Sequence, residues 1–143
     1  MGVLTEQTGY IEKSIKSLDE ILSSRRVAEI MEDFILSSGI LYILQSSIQS
    51  LIDMAYRVLS ELGEKPPNSY GEASHRLVEL GILAPEDGEK MKSMIGFRNV
   101  LVHRYLELSR ELVVEILTER RYRDILAIAY KILKKSIDLG IDP

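Results

Sequence analysis

Residues 40–62 read ILYILQSSIQSLIDMAYRVLSEL. Leu41, Leu44, Ile48, Leu51, Ile52, Ala55, Val58 and Leu59 recur at the three- and four-residue intervals of an α-helix, not at the two-residue interval of a strand. Gly63 follows directly, and glycine readily takes the left-handed conformation that closes a helix. An apolar face this wide on a helix this long needs other helices around it. Gln45, Gln49, Asp53 and Arg57 form a polar line at every fourth position. The ordinary reading of such a line is a solvent-facing stripe. The functional reading is that it looks across a cleft at another helix.

Helical periodicity extends in both directions. Leu4, Ile11, Ile15, Leu18 and Leu22 predict a first helix from Val3 to about Ser23. A second run starts near Arg25 with Val27, Ile30, Met31, Phe34 and Ile35, and Ser37, Ser38 and Gly39 are where it would bend or break. After the loop at Lys65, Pro66, Pro67 and Asn68, the run Ser69-Tyr70-Gly71-Glu72 matches a capping box. A short helix then reaches about Leu80 and closes at Gly81. Pro85 suits the first turn of the next helix, with Glu86 and Asp87 favourable at its positive end. Ser109 is the N-cap candidate for a last helical region from about Arg110 to Asp138. Strand alternation, internal repeats and low-complexity segments are absent from the sequence. The expectation is an all-α, up-and-down bundle of about four to five helices, forming one domain over residues 1–143.

Composition narrows the chemistry. The 143 residues include no Cys, no Trp and only two His. Thiolate chemistry and disulfides are therefore excluded, and the composition fits a reducing cytoplasm. A net charge of −4 argues against coating nucleic acid by bulk electrostatics, but not against a local basic pocket. The apolar stretches are interrupted by Gln, Ser, Asp or Arg, so none is expected to reach the roughly 20 residues of a bilayer span, and no membrane association is expected. With no HxxxH or HExxH spacing, no metal ligand set is evident. No cofactor motif is present either. Met31, Met54, Met91 and Met94 read as core fillers, His75 as a surface residue, and Arg120, Arg121 and Arg123 as a solvated face.

The helix after Pro85 carries Arg98, Asn99, His103, Arg104 and Tyr105 in the pattern R-x4-H-x-Y. Met91, Met94, Ile95, Leu101 and Val102 form its apolar stripe. Arg98 and Tyr105 fall on that stripe, since seven residues is about two turns. A guanidinium there needs a carboxylate partner or a cleft, and the spacing leaves both readings open. His103 lies about 140° round the helix from Arg98. Its use with Arg98 therefore requires a distorted helix or a second subunit. Asn99, one turn before His103, can fix the imidazole. If the polar line of residues 40–62 faces this helix across a cleft, Asp53 can pair with Arg98 or orient His103.

The segment GFRNVLVHRY, residues 96–105, resembles the signature of the HEPN superfamily, and more narrowly of the HepT-like toxins. LGEKPPNSY at 62–70, LGIL at 80–83 and IDMA at 52–55 are similar to that family in order and spacing. The resemblance covers most of the chain and is weakest over residues 1–25. It implies a HEPN-like homodimer and a metal-independent endoribonuclease that is the toxin of a toxin–antitoxin pair. RNA would be the substrate and an MNT-type minimal nucleotidyltransferase the antitoxin, adenylylating Tyr105. On this basis His103 is the general base or acid and Arg98 neutralises the transition state. Asn99 orients, Asp53 supports, and Arg104 and Gln49 contact substrate. The alternative is a non-catalytic helical module that binds a nucleotide or the partner nucleotidyltransferase.

Overall fold

The computed structural model describes residues 2–143, and their regular structure is helical throughout. Seven α-helices follow in order: α1 (Val3–Ser24), α2 (Val27–Glu32), α3 (Phe34–Glu61), α4 (Tyr70–Glu79), α5 (Pro85–His103), α6 (Arg110–Thr118) and α7 (Arg123–Asp138). A 3-10 turn, Tyr105–Glu107, lies between α5 and α6. The all-α expectation holds, with more and shorter helices than four to five.

The apolar periodicity of α3 makes it the central element. Leu44, Ile48, Leu51, Ile52, Met54, Ala55, Val58 and Leu59 are buried, and α1, α2, α4, α5 and α7 all pack against this one helix. Each fully buried Leu or Ile contributes roughly 1.5–3 kcal/mol relative to exposure. The matching faces are Leu4, Ile11, Ile15 and Leu18 on α1, and Ile125, Ile128, Ala129 and Ile132 on α7. α3 has 28 residues and is long and apolar enough by composition to cross a bilayer. That corrects the expectation that no stretch reaches such a length. The same apolarity is what a helix packed by several neighbours requires.

Helix boundaries differ from the sequence reading at the start of α3 and within residues 110–138. The break after α2 falls at Asp33, and α3 runs straight through Ser37, Ser38 and Gly39. The Asp33 carboxylate accepts the Leu36 N–H at 2.9 Å, so it starts α3 as an N-cap. The region from Arg110 to Asp138 is two helices. α6 ends in the same hydrogen-bond pattern as α3 and α4, which close at Gly63 and Gly81 with φ of +71° and +74°. At the end of α6, however, the left-handed residue is Arg120, φ +54°. Arg121 N–H donates to Ile116 O at 3.0 Å and Arg120 N–H to Leu117 O at 3.3 Å, completing the motif without glycine.

Arg120 is held there by its side chain. Its Nη1 donates to Asp19 Oδ1 on α1 and to the Tyr122 hydroxyl, each at 3.2 Å. Arg123 Nε reaches the same carboxylate at 3.0 Å, and the buried Tyr122 hydroxyl donates to it as well. Burial pushes the Asp19 carboxyl up, but the hydrogen bonds from Tyr122 and Arg123 outweigh it and hold the group below its usual range. Arg120 and Arg123 thus tie α1 to the α6–α7 turn, while Arg121 and Arg123 stay exposed as a solvated face requires; Arg121 pairs separately with Glu115 at 3.0 Å.

The helix carrying Arg98 is fixed from two sides. Asp87, buried in its first turn, accepts from Lys131 Nζ of α7 at 2.7 Å. Ser74 of α4 donates to Gly88 O at 2.9 Å, and a Cβ at Gly88 would collide with Val78 Cγ2, so α4 and α5 approach closely here. Arg120→Ala keeps the left-handed strain and loses the tie to Asp19, whereas Arg120→Gly loses the tie but relieves the strain. The glycine variant is expected to be about 1 kcal/mol more stable than the alanine variant in denaturant unfolding.

Candidate active site

The C-terminal half of α5 lies against the start of α4 and the middle of α3. Arg98, Asn99 and His103 of α5, Arg104 just beyond it, Tyr56 of α3, and Asn68, Ser69 and Tyr70 at the start of α4 line one open cleft of about 540 Å³. Arg98 and His103 therefore share a cleft within a single chain, despite their separation on the helical wheel. His103 is the last residue of α5, and Arg104 leaves the helix with φ −140° and ψ 47°.

The cleft has cationic and hydrogen-bonding side chains and no carboxylate among its lining residues. In a chain of net charge −4 this is a local basic patch. Among the described residues no carboxylate lies within ion-pair distance of Arg98, which disposes of the buried Arg–carboxylate reading. Arg98 instead donates from Nη1 to Asn99 Oδ1 at 3.0 Å, and its guanidinium carbon sits 5.2 Å from the centroid of the Tyr70 ring. Its Nε is enclosed and unpartnered. A guanidinium held by an amide and an aromatic face, with no counter-charge, is suited to receive an anion.

Several expected placements change. Asn99 is engaged by Arg98, not hydrogen-bonded to His103. Asp53 accepts from Gln49 Nε2 at 2.9 Å on α3, and neither residue lines the cleft. Arg57 pairs with Glu61 at 3.2 Å within α3. Tyr105 does not share the Arg98 face, because α5 ends before it. Tyr105 is half-exposed in the 3-10 turn and, with the fully exposed Leu106, borders an apolar depression against Ile30, Met31, Ile40 and Leu41. The chain leaves the helix with no Gly or Pro because Leu108 packs on the core and the Ser109 hydroxyl caps α6 through Leu112 N–H at 3.2 Å. Arg104 does line the cleft and lies 3.8 Å from Glu107.

Tyr56, Asn68, Ser69 and Tyr70 enter the cleft without having been singled out as site residues. The capping box was the available signal: Ser69 Oγ accepts Glu72 N–H at 3.1 Å, and Glu72 accepts Asn68 N–H at 2.6 Å. That reciprocal lock fixes the start of α4, and with it Tyr70, beside α5. A separate, more enclosed cavity of about 420 Å³ between α3, α5, α6 and α7 is lined mostly by apolar side chains, including Leu44, Ile48, Phe97 and Ile116, and contains neither Arg98 nor His103.

An all-helical bundle with a basic Arg/His cleft on its motif helix narrows the class, and sequence comparison completes it. The sequence pattern of the family described as Ribonuclease HepT-like matches residues 11–132, and the chain belongs to that family. A protein of Archaeoglobus fulgidus described as a candidate RNase is 36% identical over 110 residues, covering 77% of this chain and 80% of the relative. The mRNA nuclease HepT of Shewanella oneidensis is 23% identical over 114 residues, covering 80% of this chain and 84% of that protein. The fold is similar to that of a tri-AMPylated Shewanella oneidensis HEPN toxin in complex with MNT antitoxin, with a TM-score of 0.83 at 21% identity over 94% of this chain and 99% of the other. It is also similar to the cytosolic protein YutE of Bacillus subtilis, with a TM-score of 0.79 at 18% identity over 98% of this chain and 93% of the other.

If Arg98 has no structural counter-ion, removing its charge should cost little. Arg98→Met is expected to unfold within about 1 kcal/mol of the wild type, since a cation–π contact is lost and an unpaired enclosed donor is removed. A loss of about 3–5 kcal/mol in denaturant titration would instead mark a broken buried ion pair.

Proposed function

We propose that this protein is a metal-independent endoribonuclease, acting in the cytoplasm as the toxin of a toxin–antitoxin pair, with residues 1–143 as one catalytic domain. The observation that carries the reading is Arg98, without a carboxylate partner, in the same cleft as His103. His103 takes the proton from a ribose 2'-hydroxyl. The freed oxygen attacks the adjacent phosphorus, the bond to the 5'-oxygen breaks, and a proton passes to that leaving oxygen. The products are a 2',3'-cyclic phosphate and a 5'-hydroxyl end. Arg98 binds the non-bridging oxygens as negative charge grows on them. Asn99 orients the guanidinium through its hydrogen bond, and Arg104 contacts the RNA backbone. Asp53 and Gln49 have no part in this scheme, being outside the cleft. The lack of lining carboxylates supports metal independence, because hard divalent cations need oxygen-rich sites.

One chain supplies one imidazole, whereas the reaction needs a base and an acid. A homodimer answers that need, with His103 of the partner subunit protonating the leaving oxygen. The open form of the cleft leaves room for a second copy to complete it. Purified protein is expected to cut RNA in EDTA, and Arg98→Ala and His103→Ala are each expected to lose about 100-fold or more in rate. Undiminished cleavage by both variants would overturn the assignment. Tight nucleotide binding with no RNA loss would favour the non-catalytic module.

Control by an MNT-type nucleotidyltransferase is the second part of the proposal. The exposed Tyr105 hydroxyl attacks the α-phosphorus of ATP, pyrophosphate leaves, and the phenol proton is released. Because Tyr105 lies outside the Arg98 cleft, the attached AMP acts from the mouth of the site. It adds a tethered anion two residues from His103 that competes with RNA for Arg104. Intact-mass and peptide mass spectrometry after co-expression with the cognate nucleotidyltransferase should find AMP on Tyr105 and none on the Tyr105→Phe variant. Modification elsewhere with Tyr105 untouched would sink this part.

A further inference from the structure

The Arg98 guanidinium keeps its pose without a carboxylate. An arginine side chain has several rotatable bonds, and a carboxylate usually fixes its planar end. Here the hydrogen-bonding partner is the amide of the adjacent Asn99, which is itself only half-buried. The guanidinium also rests on Tyr70, whose ring centroid lies 5.2 Å from the guanidinium carbon. Tyr70 is in turn anchored. Tyr56 of α3 meets its ring edge-on, with centroids 5.8 Å apart and planes at 89°. The Ser69 cap sets the backbone on which Tyr70 stands.

We propose that Tyr70 is a positioning residue that holds the Arg98 guanidinium by its aromatic face, in place of the carboxylate that would otherwise do so. The inference rests on the ribonuclease reading of the cleft. The physical advantage is electrostatic. A carboxylate would fix the guanidinium but neutralise it and repel a phosphate, whereas the negative face of an aromatic ring orients the cation and leaves its full charge for the substrate. Tyr56 is the buttress that keeps the ring from turning. The Tyr70 hydroxyl has no hydrogen-bond partner among the described residues, so the ring is the part that acts.

Cleavage of a short RNA in EDTA by Tyr70→Leu, Tyr70→Phe, Arg98→Ala and the Tyr70→Leu/Arg98→Ala double variant tests this, with thermal melting of each. Tyr70→Leu is expected to lower kcat by about 10- to 100-fold, because a guanidinium displaced by about 1 Å serves the transition state poorly. Its KM should change by less than about 3-fold, the loss falling on the transition state rather than on RNA binding. Tyr70→Phe should cleave within about 2-fold of wild type, and Tyr70→Leu should add no further loss in the Arg98→Ala background. If Arg98→Ala cleaves as well as wild type, the ribonuclease reading of the cleft fails and the positioning role fails with it. If Arg98→Ala is inactive while Tyr70→Leu keeps wild-type kcat, or Tyr70→Phe is as poor as Tyr70→Leu, the positioning role alone is overturned. A Tyr70→Leu protein that does not fold transfers the test to Tyr56→Leu, which should lower kcat in the same sense by freeing the ring; wild-type kcat there overturns the proposal.

Discussion

The demand that α3 be covered on most of its circumference organises this molecule. Its buried residues, from Ile40 to Leu59, occupy too wide an arc for a single neighbour. α1, α4, α5 and α7 therefore gather round it. In doing so they bring Tyr56, the start of α4 and the end of α5 to one place. The basic cleft follows from how a hydrophobic helix is covered, and its location is set by which of α3's neighbours end there.

Within that frame the cleft departs from the usual economy of buried charge. Among the described residues the other partly buried arginines are matched: Arg76 with Glu72, and Arg120 with Asp19. Arg98 is not, and its Nε has no partner. An unpaired guanidinium carries a desolvation cost that selection for stability alone would remove. It shares a cleft with His103 and sits against an aromatic ring, an arrangement suited to receiving an anion. The same contrast separates the two arginine clusters. Arg120 and Arg123 converge on a carboxylate and bind helices together, whereas Arg98 and Arg104 line an open cleft.

Legibility varied along the chain with the type of signal. Helix ends marked by local chemistry could be read directly: Gly63, Gly81, the Ser69 capping box, Pro85 and the Ser109 cap each stand where the sequence indicates. Ends set by distant contacts could not. The turn after α6 uses Arg120 where glycine is expected, and its left-handed backbone is held by Asp19, far away in sequence. The end of α5 at His103 has no Gly or Pro, and it depends on Leu108 reaching the core. Reading α5 as continuing to Tyr105 put that tyrosine on the Arg98 face. Among the candidate residues, Arg98, Asn99, His103 and Arg104 line the cleft, and Asp53 and Gln49 do not.

By itself the sequence determined the helical class, the apolar face of the central helix, and the presence of an arginine and a histidine in a pattern similar to that of HepT-like proteins. Those are properties of neighbours along the chain, and periodicity and capping express them locally. Tertiary structure alone decided that Arg98 has no counter-ion among the described residues, that Tyr70 and Tyr56 line the same cleft, and that Tyr105 lies outside it. Each of these depends on where a helix stops and what packs across from it, and a wheel drawn for one helix contains neither.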